Sequence, residues 1–213
     1  MYNNVMEYNV EISYKHVKYL RMKVVDGIVK ISCPFLTSKR TIENFIYNNK
    51  DYIDKKIEEE NNKAININDQ IVILNKKYTV LSTSLKPKIT EHFIFVNEDK
   101  DIKKQLKALF KNQLLEYMTS LSKIYYEKMN LNKPFPKISI KDVKTRWGSY
   151  NKRSHAIVYA SELIFKSTDV YDYLVVHELS HIIYFDHSKN FYNHVSLYCP
   201  NYKKLRKQLK DKE

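Results

Sequence analysis

The stretch from residue 175 to 187, VVHELSHIIYFDH, constrains this chain more than any other. It contains the pattern H-E-x-x-H between apolar residues, as expected of a buried helix. On such a helix His177 and His181 lie one turn apart, so both imidazoles leave the same face. Glu178 lies about 100° round the helix from His177. The spacing therefore favours a tetrahedral metal ion bound by two ring nitrogens, with a glutamate beside it that is not a ligand.

A third ligand is expected, because catalytic zinc usually takes three protein ligands and keeps a fourth position for water. Beyond the motif, the only acidic residues are Asp186 and two in the charged tail, Asp211 and Glu213. His187 is therefore the predicted third ligand. Its spacing equals that of the pattern H-E-x-x-H-x-x-G-x-x-H, although Tyr184 stands in place of the glycine. In the alternative, Asp186 binds the metal and His187 lies outside the ligand set, since carboxylates also bind zinc.

These residues predict hydrolysis of peptide bonds by a metal-activated water, with one Zn²⁺ per chain and Glu178 as the general base. An oxyanion must also be stabilised, and four residues are candidates for this role: Arg146, Tyr150, Tyr192 and His194. One rival hypothesis is that the histidines only form hydrogen bonds in a core. Another is a non-catalytic zinc-binding module, in which a fourth ligand such as His194 closes the site.

The charge of the chain raises a further hypothesis. Its 213 residues include 37 Lys and Arg, and the net charge is +13, which attracts polyanions such as nucleic acid. The basic residues are scattered along the chain, however, and a charge balance alone does not define a binding footprint. The second functional hypothesis is therefore a nucleic-acid-associated protease that acts on DNA-bound proteins, and salt-dependent DNA binding would distinguish it.

The predicted cellular setting is inferred from three features that are absent from the sequence. The first residues carry no basic segment followed by an apolar run, so no signal peptide is expected. No apolar run approaches the length of a membrane span. The two cysteines, Cys33 and Cys199, are far apart and suggest no disulfide framework. These features predict a cytoplasmic protein without membrane association.

The first part of the chain, residues 1–98, is predicted to be a β-rich region with one amphipathic helix. Asp26-Gly27 separates two β-like runs, 11–25 and 28–32, and Asp-Gly is a strong hairpin signal. A helix is expected from Thr37 or Ser38, either of which offers an N-cap, to about residue 60. Further strands are expected at 70–74, 78–82 and 92–96.

The second part, residues 99–213, is predicted to be the metallopeptidase domain. It begins with one long helix over 99–129 that keeps a single apolar stripe. Strands are expected at 137–143 and 156–160, with a glycine loop at 145–150 between them. Arg146 and Trp147 in this loop either contact substrate or pack the loop against the core. Ser167, Thr168 and Asp169 are expected to cap the metal helix, and further helices are expected at 188–198 and 202–212.

Three segments together resemble the YgjP-like metallopeptidase-domain family of zincin-type metal-dependent hydrolases. They are TRWGS at 145–149, YLVVHELSH at 173–181, and DHS at 186–188 with Phe191. The resemblance is most specific from 137 to 209. It implies an α+β fold, with a β-rich N-terminal segment followed by a compact zincin-like core that holds the HExxH helix.

The same resemblance implies that His177, His181 and His187 bind the metal and that Glu178 is the catalytic base. SprT-like proteases of DNA-bound proteins have a related pattern, which is a second motive for the nucleic-acid hypothesis. The chain departs from the family pattern at two places. Tyr150 stands where the family often has Cys, and Ser154-His155 stands where a Gly is usual. These departures leave the metal set intact and concern the predicted substrate contacts, which are Arg146, Trp147, Tyr150 and His194.

Overall fold

A computed structural model describes residues 8–25, 27–61 and 64–209. The fold is a mixed α+β arrangement of small sheets and helices, as predicted. The chain divides into two units, Met1–Ile65 and Asn66–Glu213. Within the described residues, no helix is long and apolar enough to cross a membrane.

The first unit contains a three-stranded sheet in which the expected hairpin is present. Gly27 lies in its turn with φ +69°, a conformation that glycine adopts without steric cost. The run predicted over 11–25 is divided between two strands, and the first of them pairs in parallel with the second strand of the hairpin. The strands are β1 (Asn9–Tyr14), β2 (Arg21–Val25) and β3 (Ile28–Cys33). They lie in the sheet in the order β1-β3-β2.

The single helix predicted to follow is two helices, α1 (Lys39–Tyr47) and α2 (Lys50–Asn61). Ser38 caps α1 as expected, since its side chain accepts a hydrogen bond from the Thr41 N–H. The helix is interrupted where Asn49 donates from its side-chain amide to the Phe45 carbonyl at 2.8 Å. Asparagine competes for backbone partners in this way and favours helix ends. The apolar residues of both helices pack on the sheet, so their periodicity did not reveal the interruption.

The second unit begins with a four-stranded sheet of order β4-β5-β7-β6. Its first hairpin turns at Leu74 and Asn75, which have φ of +50° and +63°. Two consecutive residues with positive φ are typical of the tight turns that match the twist of a hairpin. The short strand β6 was not predicted. The strands are β4 (Gln70–Ile73), β5 (Lys76–Ser82), β6 (Lys88–Ile89) and β7 (Phe93–Val96).

The long helix predicted over 99–129 is interrupted at Phe110, which separates α3 (Ile102–Leu109) from α4 (Lys111–Lys128). Phe110 is fully buried and packs edge-on against Tyr78, with 5.5 Å between the ring centroids. The prediction of one helix was wrong because the apolar period continues across the interruption. The interruption coincides with the buried packing of Phe110 rather than with a Gly or Pro.

A third sheet, of order β8-β10-β9, precedes the HExxH helix. It consists of β8 (Lys137–Lys141), β9 (Gly148–Asn151) and β10 (Ala156–Ala160). The glycine loop predicted over 145–150 is therefore partly wrong, because its second half forms the edge strand β9, antiparallel to β10. His155, in the turn between them, has φ +45°. This positive φ gives a physical reason for the glycine that the family usually has here.

The remaining elements surround the HExxH helix. Each is given by its residues: a 3₁₀ helix (Ser161–Phe165), α5 (Asp169–Ser180), α6 (Lys189–Tyr198) and α7 (Tyr202–Leu209). Helix α5 contacts α4, α6, α7 and β9, so nearly all of its side chains are buried. Of the three expected caps, Ser167 accepts a hydrogen bond from the Asp169 N–H at 3.3 Å, while Thr168 makes no side-chain cap.

The contacts divide the chain into units after residue 65, and the domain boundary predicted after residue 98 stays a prediction. The reason lies in the contacts of the four-stranded sheet. Strand β4 contacts the 3₁₀ helix, and β7 contacts α3. In addition, Asn75 in the β4–β5 turn donates to the Thr168 hydroxyl, 2.5 Å away, just before α5. The sheet over 70–96 therefore packs with the C-terminal elements and supports α5.

Candidate metal centre

Helix α5 carries the first two histidines on one face. The helix is apolar on nearly every side. It therefore lies at the centre of the second unit, where these apolar side chains are buried. His181 stands at the C-terminal end of the helix with φ −66° and ψ −13°, which are still helical values. The His177 and His181 rings therefore keep the i, i+4 relation, with their centroids 5.0 Å apart.

His187 is brought to the same place by a tight turn after α5. Two backbone N–H groups, those of Ile183 and Tyr184, donate to the Ser180 carbonyl at 3.1 and 2.9 Å. The chain thus turns without the glycine of the pattern H-E-x-x-H-x-x-G-x-x-H. Ser188 then begins α6 by accepting a hydrogen bond from the Phe191 N–H. One ring nitrogen from each of the three histidines lies within 4.8 Å of the others.

Hydrogen bonds on the far sides of the rings hold this arrangement. The Nδ1 of His181 is 3.0 Å from the Tyr184 carbonyl, which can only accept, so Nδ1 carries the proton and Nε2 is left for a metal. The Nδ1 of His177 is 3.3 Å from the Tyr173 hydroxyl, and its Nε2 lies 3.2 Å from Nε2 of His187. Partners of this kind fix the tautomer and orientation of metal-binding histidines.

Burial favours the neutral form of His177 and His181. Burial lowers the pKa of His177 to about 3, with smaller contributions from His181, His187 and Arg206. Burial also lowers the pKa of His181. Neutral imidazole is the form that binds a metal, because the ligand nitrogen must be free of its proton.

Phe191 of α6 forms the base of the cluster. It is fully buried, and its ring centroid is 4.6 to 5.0 Å from those of all three histidines. An apolar ring below the ligands excludes water from that side and restricts the imidazoles to one arrangement. The sequence pointed to Phe191 through the family pattern and as an inward-facing residue of the helix predicted over 188–198.

Glu178 lies on the other side of His177, against strand β9. Its side chain is 3% exposed, and Oε2 has no hydrogen-bond partner among the described residues. Burial raises the pKa of Glu178 to about 8, against the backbone hydrogen bond from Tyr150 and the charge of Arg146, which both lower it. A Cβ on Gly148 would lie 2.5 Å from Oε1 of Glu178, so the carboxylate occupies the space that only a glycine leaves.

This donor set fits a metal ion. Three imidazole nitrogens converge, no carboxylate of the described residues belongs to the cluster, and a buried carboxylate oxygen without a partner lies nearby. Nitrogen ligands of this type suit zinc, copper, iron or nickel rather than magnesium or calcium. A bound water that donates to Glu178 would satisfy the orphaned oxygen.

Two residues that the sequence offered as alternative ligands lie outside the cluster. Asp186 is exposed, and its Oδ1 accepts from the Ser188 N–H at 3.3 Å. His194 points its Nδ1 at the Ser180 hydroxyl, 3.0 Å away, and packs between Tyr184 and Tyr198. In the described part of the chain, the group able to hold a metal comprises only the three histidines.

The predicted substrate residues separate into two kinds. Trp147 is buried and its Nε1 donates to the Leu209 carbonyl at 2.7 Å, which ties the β9 segment to α7. The Tyr150 hydroxyl is 2.9 Å from Nδ1 of His155, and only its backbone reaches Glu178. Arg146, by contrast, is exposed and lines the pocket beside the histidines.

This pocket has a volume of about 420 Å³. Its lining includes His177, Glu178 and His187 on one side and Arg146, Tyr192 and Arg206 around them. The sequence did not mark Arg206 as a pocket residue, because it lies in a basic C-terminal helix without a functional motif. It also missed Tyr173, although a residue four positions before His177 lies on the same helix face.

Comparison with known proteins agrees with the site. A family profile described as "YgjP-like, metallopeptidase domain" matches residues 18–212. Two solved structures are similar: the metallopeptidase zymogens jannalysin of Methanocaldococcus jannaschii, with TM-score 0.40, and abylysin of Pyrococcus abyssi, with TM-score 0.41. Each is 18% identical and covers 45% of this chain, and the matches span 95% and 93% of the respective relatives. Comparison with curated proteins finds no match. The family match gives no support for a nucleic-acid partner.

Proposed function

The chain belongs to the YgjP-like metallopeptidase-domain family, and from this premise we propose that it is a zinc-dependent peptidase with His177, His181 and His187 as ligands. Membership of the family supports a metal-dependent protease that acts on proteins or peptides. The proposal adds the metal, one zinc ion per chain, and the roles of individual residues. The cytoplasmic setting remains a prediction from the sequence.

One observation carries the proposal: the buried carboxylate of Glu178 lies beside three converging histidine nitrogens and has one oxygen without a partner. In a structural zinc site four protein ligands usually close the coordination sphere. Here the cluster offers three, and His194 is engaged with Ser180 instead. Three ligands with an adjacent carboxylate favour a catalytic site.

Zinc bound at this position would supply Lewis acidity, which lowers the pKa of a bound water to about 7 and polarises a carbonyl oxygen. Glu178 acts on the attacking water. It accepts a proton as the new carbon–oxygen bond forms, and it gives that proton to the amine nitrogen as the carbon–nitrogen bond breaks. The backbone N–H of Tyr150 and the surface of Gly148 hold its carboxylate in place for both transfers.

Strand β9 is proposed to align the substrate. It lies at the edge of its sheet and pairs with β10 on one side. An extended peptide can add to such an edge through backbone hydrogen bonds, with alternate side chains in the cleft. Because Gly148 of β9 touches Glu178, a peptide bound here would pass the base and the histidines.

The test combines metal analysis with hydrolysis. The full chain is purified without added metal, its zinc content is measured per chain, and cleavage of a quenched fluorescent peptide library is followed. Glu178→Gln is compared with Glu116→Gln, a control on the exposed face of α4. We expect the Glu178 variant to keep zinc and lose cleavage by a factor of about 100 or more, the range for a general base. Cleavage that persists in this variant would refute the assignment.

A further inference from the structure

The walls of the pocket carry a pronounced excess of positive charge. Arg146 and Arg206 both line it, and among the described residues that line it Glu178 is the only carboxylate. The two arginines come from different elements. Arg146 lies in the segment before β9, and Arg206 lies on α7. A pocket lined by two guanidinium groups carries more positive charge than the binding of a neutral peptide bond requires.

Arg206 is held over the pocket by an aromatic stack. Its guanidinium lies 5.3 Å from the centroid of the Tyr192 ring. Tyr192 also stacks on His187, with 6.1 Å between the ring centroids, and on Tyr202, with 5.6 Å. Guanidinium groups stack favourably on aromatic faces, and such stacking restricts their orientation. The position of Arg206 is thus linked through Tyr192 to a proposed metal ligand.

The helix that carries Arg206 is itself fixed. Leu205 and Leu209 of α7 are buried, and the Leu209 carbonyl accepts the hydrogen bond from Trp147. Since Trp147 follows Arg146 directly, one hydrogen bond connects the two segments that bear the arginines. Both arginine residues are exposed, but buried neighbours hold the backbone that carries them, as expected of a preorganised binding site.

Both arginines line the same pocket as His177, Glu178 and His187. A negatively charged group that binds to the arginines in this pocket would therefore also lie close to the histidines and to the proposed base.

We propose that Arg146 and Arg206 form an anion subsite that binds a carboxylate or phosphoryl group of the substrate next to the bond that is cleaved. The guanidinium group presents five donors in a fork that matches carboxylate and phosphate oxygens. The preferred substrates are then acidic or phosphorylated peptides, or peptides whose free C-terminal carboxylate lies near the scissile bond. This inference rests on the proposed peptidase function, since it assigns the specificity of that site.

Trp147 is the only tryptophan of the chain and lines the pocket, so its fluorescence reports binding without any need for hydrolysis. Zinc-loaded full-length protein is titrated with succinate, with inorganic phosphate and with uncharged succinamide. The variants are Arg146→Gln and Arg206→Gln. The matched control is Arg40→Gln, which removes the same charge from the exposed surface of α1 in the other unit.

We expect saturable binding of succinate, phosphate or both, with no saturation by succinamide. Each pocket variant should weaken the binding by about tenfold or more, as expected for a lost hydrogen bond to a charged group, while Arg40→Gln binds as the parent does. The relative affinities of succinate and phosphate show which anion the subsite prefers. Equal binding of succinamide, or equal binding by all three arginine variants, would overturn the subsite.

Peptide cleavage distinguishes failure of the anion subsite from failure of the peptidase proposal. Matched peptides that carry Asp, Asn or phosphoserine beside the cleaved bond are compared by their kcat/KM ratios. A ratio that favours the anionic peptide and collapses in Arg206→Gln supports the subsite. Cleavage without such a preference overturns the subsite but leaves the peptidase proposal standing. Anion binding that depends on both arginines, in a protein that cleaves no peptide, refutes the peptidase proposal and with it the assignment of the subsite to peptide substrates.

Discussion

The Glu178 carboxylate lies against Gly148, so closely that a Cβ on this glycine would be 2.5 Å from Oε1. The two residues are far apart in the chain, and the packing of β9 on α5 brings them together. The glycine is used for space rather than for backbone freedom, because its φ lies outside the positive range. The proposed base thus depends on a neighbour that has no side chain.

Gly148→Ala is expected to displace Glu178 while leaving the histidines in place. A shift of about 1 Å in a catalytic group costs on the order of 100-fold in rate, so kcat should fall by about that factor. Zinc content per chain should stay near that of the parent. Ser149→Ala on the same strand is the control, and its kcat should be close to the parental value. If Gly148→Ala turned over peptides at the parental rate, the packing would have no catalytic role.

His187→Ala is expected to weaken zinc binding by more than the 10- to 100-fold that is typical of changes outside the ligand set. The reason is the loss of one of three converging nitrogens. His194→Ala is the matched control, since His194 contacts Ser180 and lies outside the cluster. Competition with a chelator measures both affinities. Loss of zinc from the His194 variant instead would favour the closed, structural site.

Phe110→Ala should destabilise the protein by about 3–5 kcal/mol, the usual cost of removing a buried phenylalanine side chain. Phe110 is fully buried between α3 and α4 and contacts Tyr78 of the four-stranded sheet. Urea unfolding followed by circular dichroism measures the free energy of unfolding. Phe93→Ala serves as the comparison, because Phe93 is 43% exposed and should cost much less. Equal losses would mean that burial at Phe110 contributes little to stability.

Stability should also depend on pH through Asp142. A hydrogen bond from Lys107 at 2.8 Å lowers the pKa of Asp142, with support from the Lys107 charge and Ser161 and against desolvation. Because the folded-state pKa lies below the ordinary value of 3.8, the stabilisation is present above that value and is lost as the pH falls through the folded-state pKa. The pair is partly exposed, so its contribution at pH 7 should be about 1 kcal/mol or less.

Asp142→Asn should therefore lower the free energy of unfolding at pH 7, and the difference from the parent should close as the pH falls below 3.8. A double-mutant cycle with Lys107→Ala isolates the pair, because Asp142→Asn should have a reduced effect when the lysine is absent. Urea unfolding at several pH values provides the data. A difference that stays constant from neutral to strongly acidic pH would contradict this account.

Local patterns were sufficient for several parts of the fold. Asp-Gly predicted the first hairpin, and of the two N-caps that the sequence offered, Thr37 or Ser38, it is Ser38 that caps α1. The two long helices were predicted without their interruptions at Asn49 and Phe110, because the apolar period continues through both. Strand β9 was missed because TRWGSY has no β-like alternation, and its strand character comes from pairing with β10.

By itself, the sequence determined that His177 and His181 share a helix face, since that relation depends only on the pitch of an α-helix. It also identified His187 as the best third nitrogen. Only the tertiary structure decided that the three nitrogens converge, that Gly148 makes room for Glu178, and that Arg206 faces the same pocket. These are contacts between different elements of the chain, and the packing of buried surfaces sets them rather than local backbone preference.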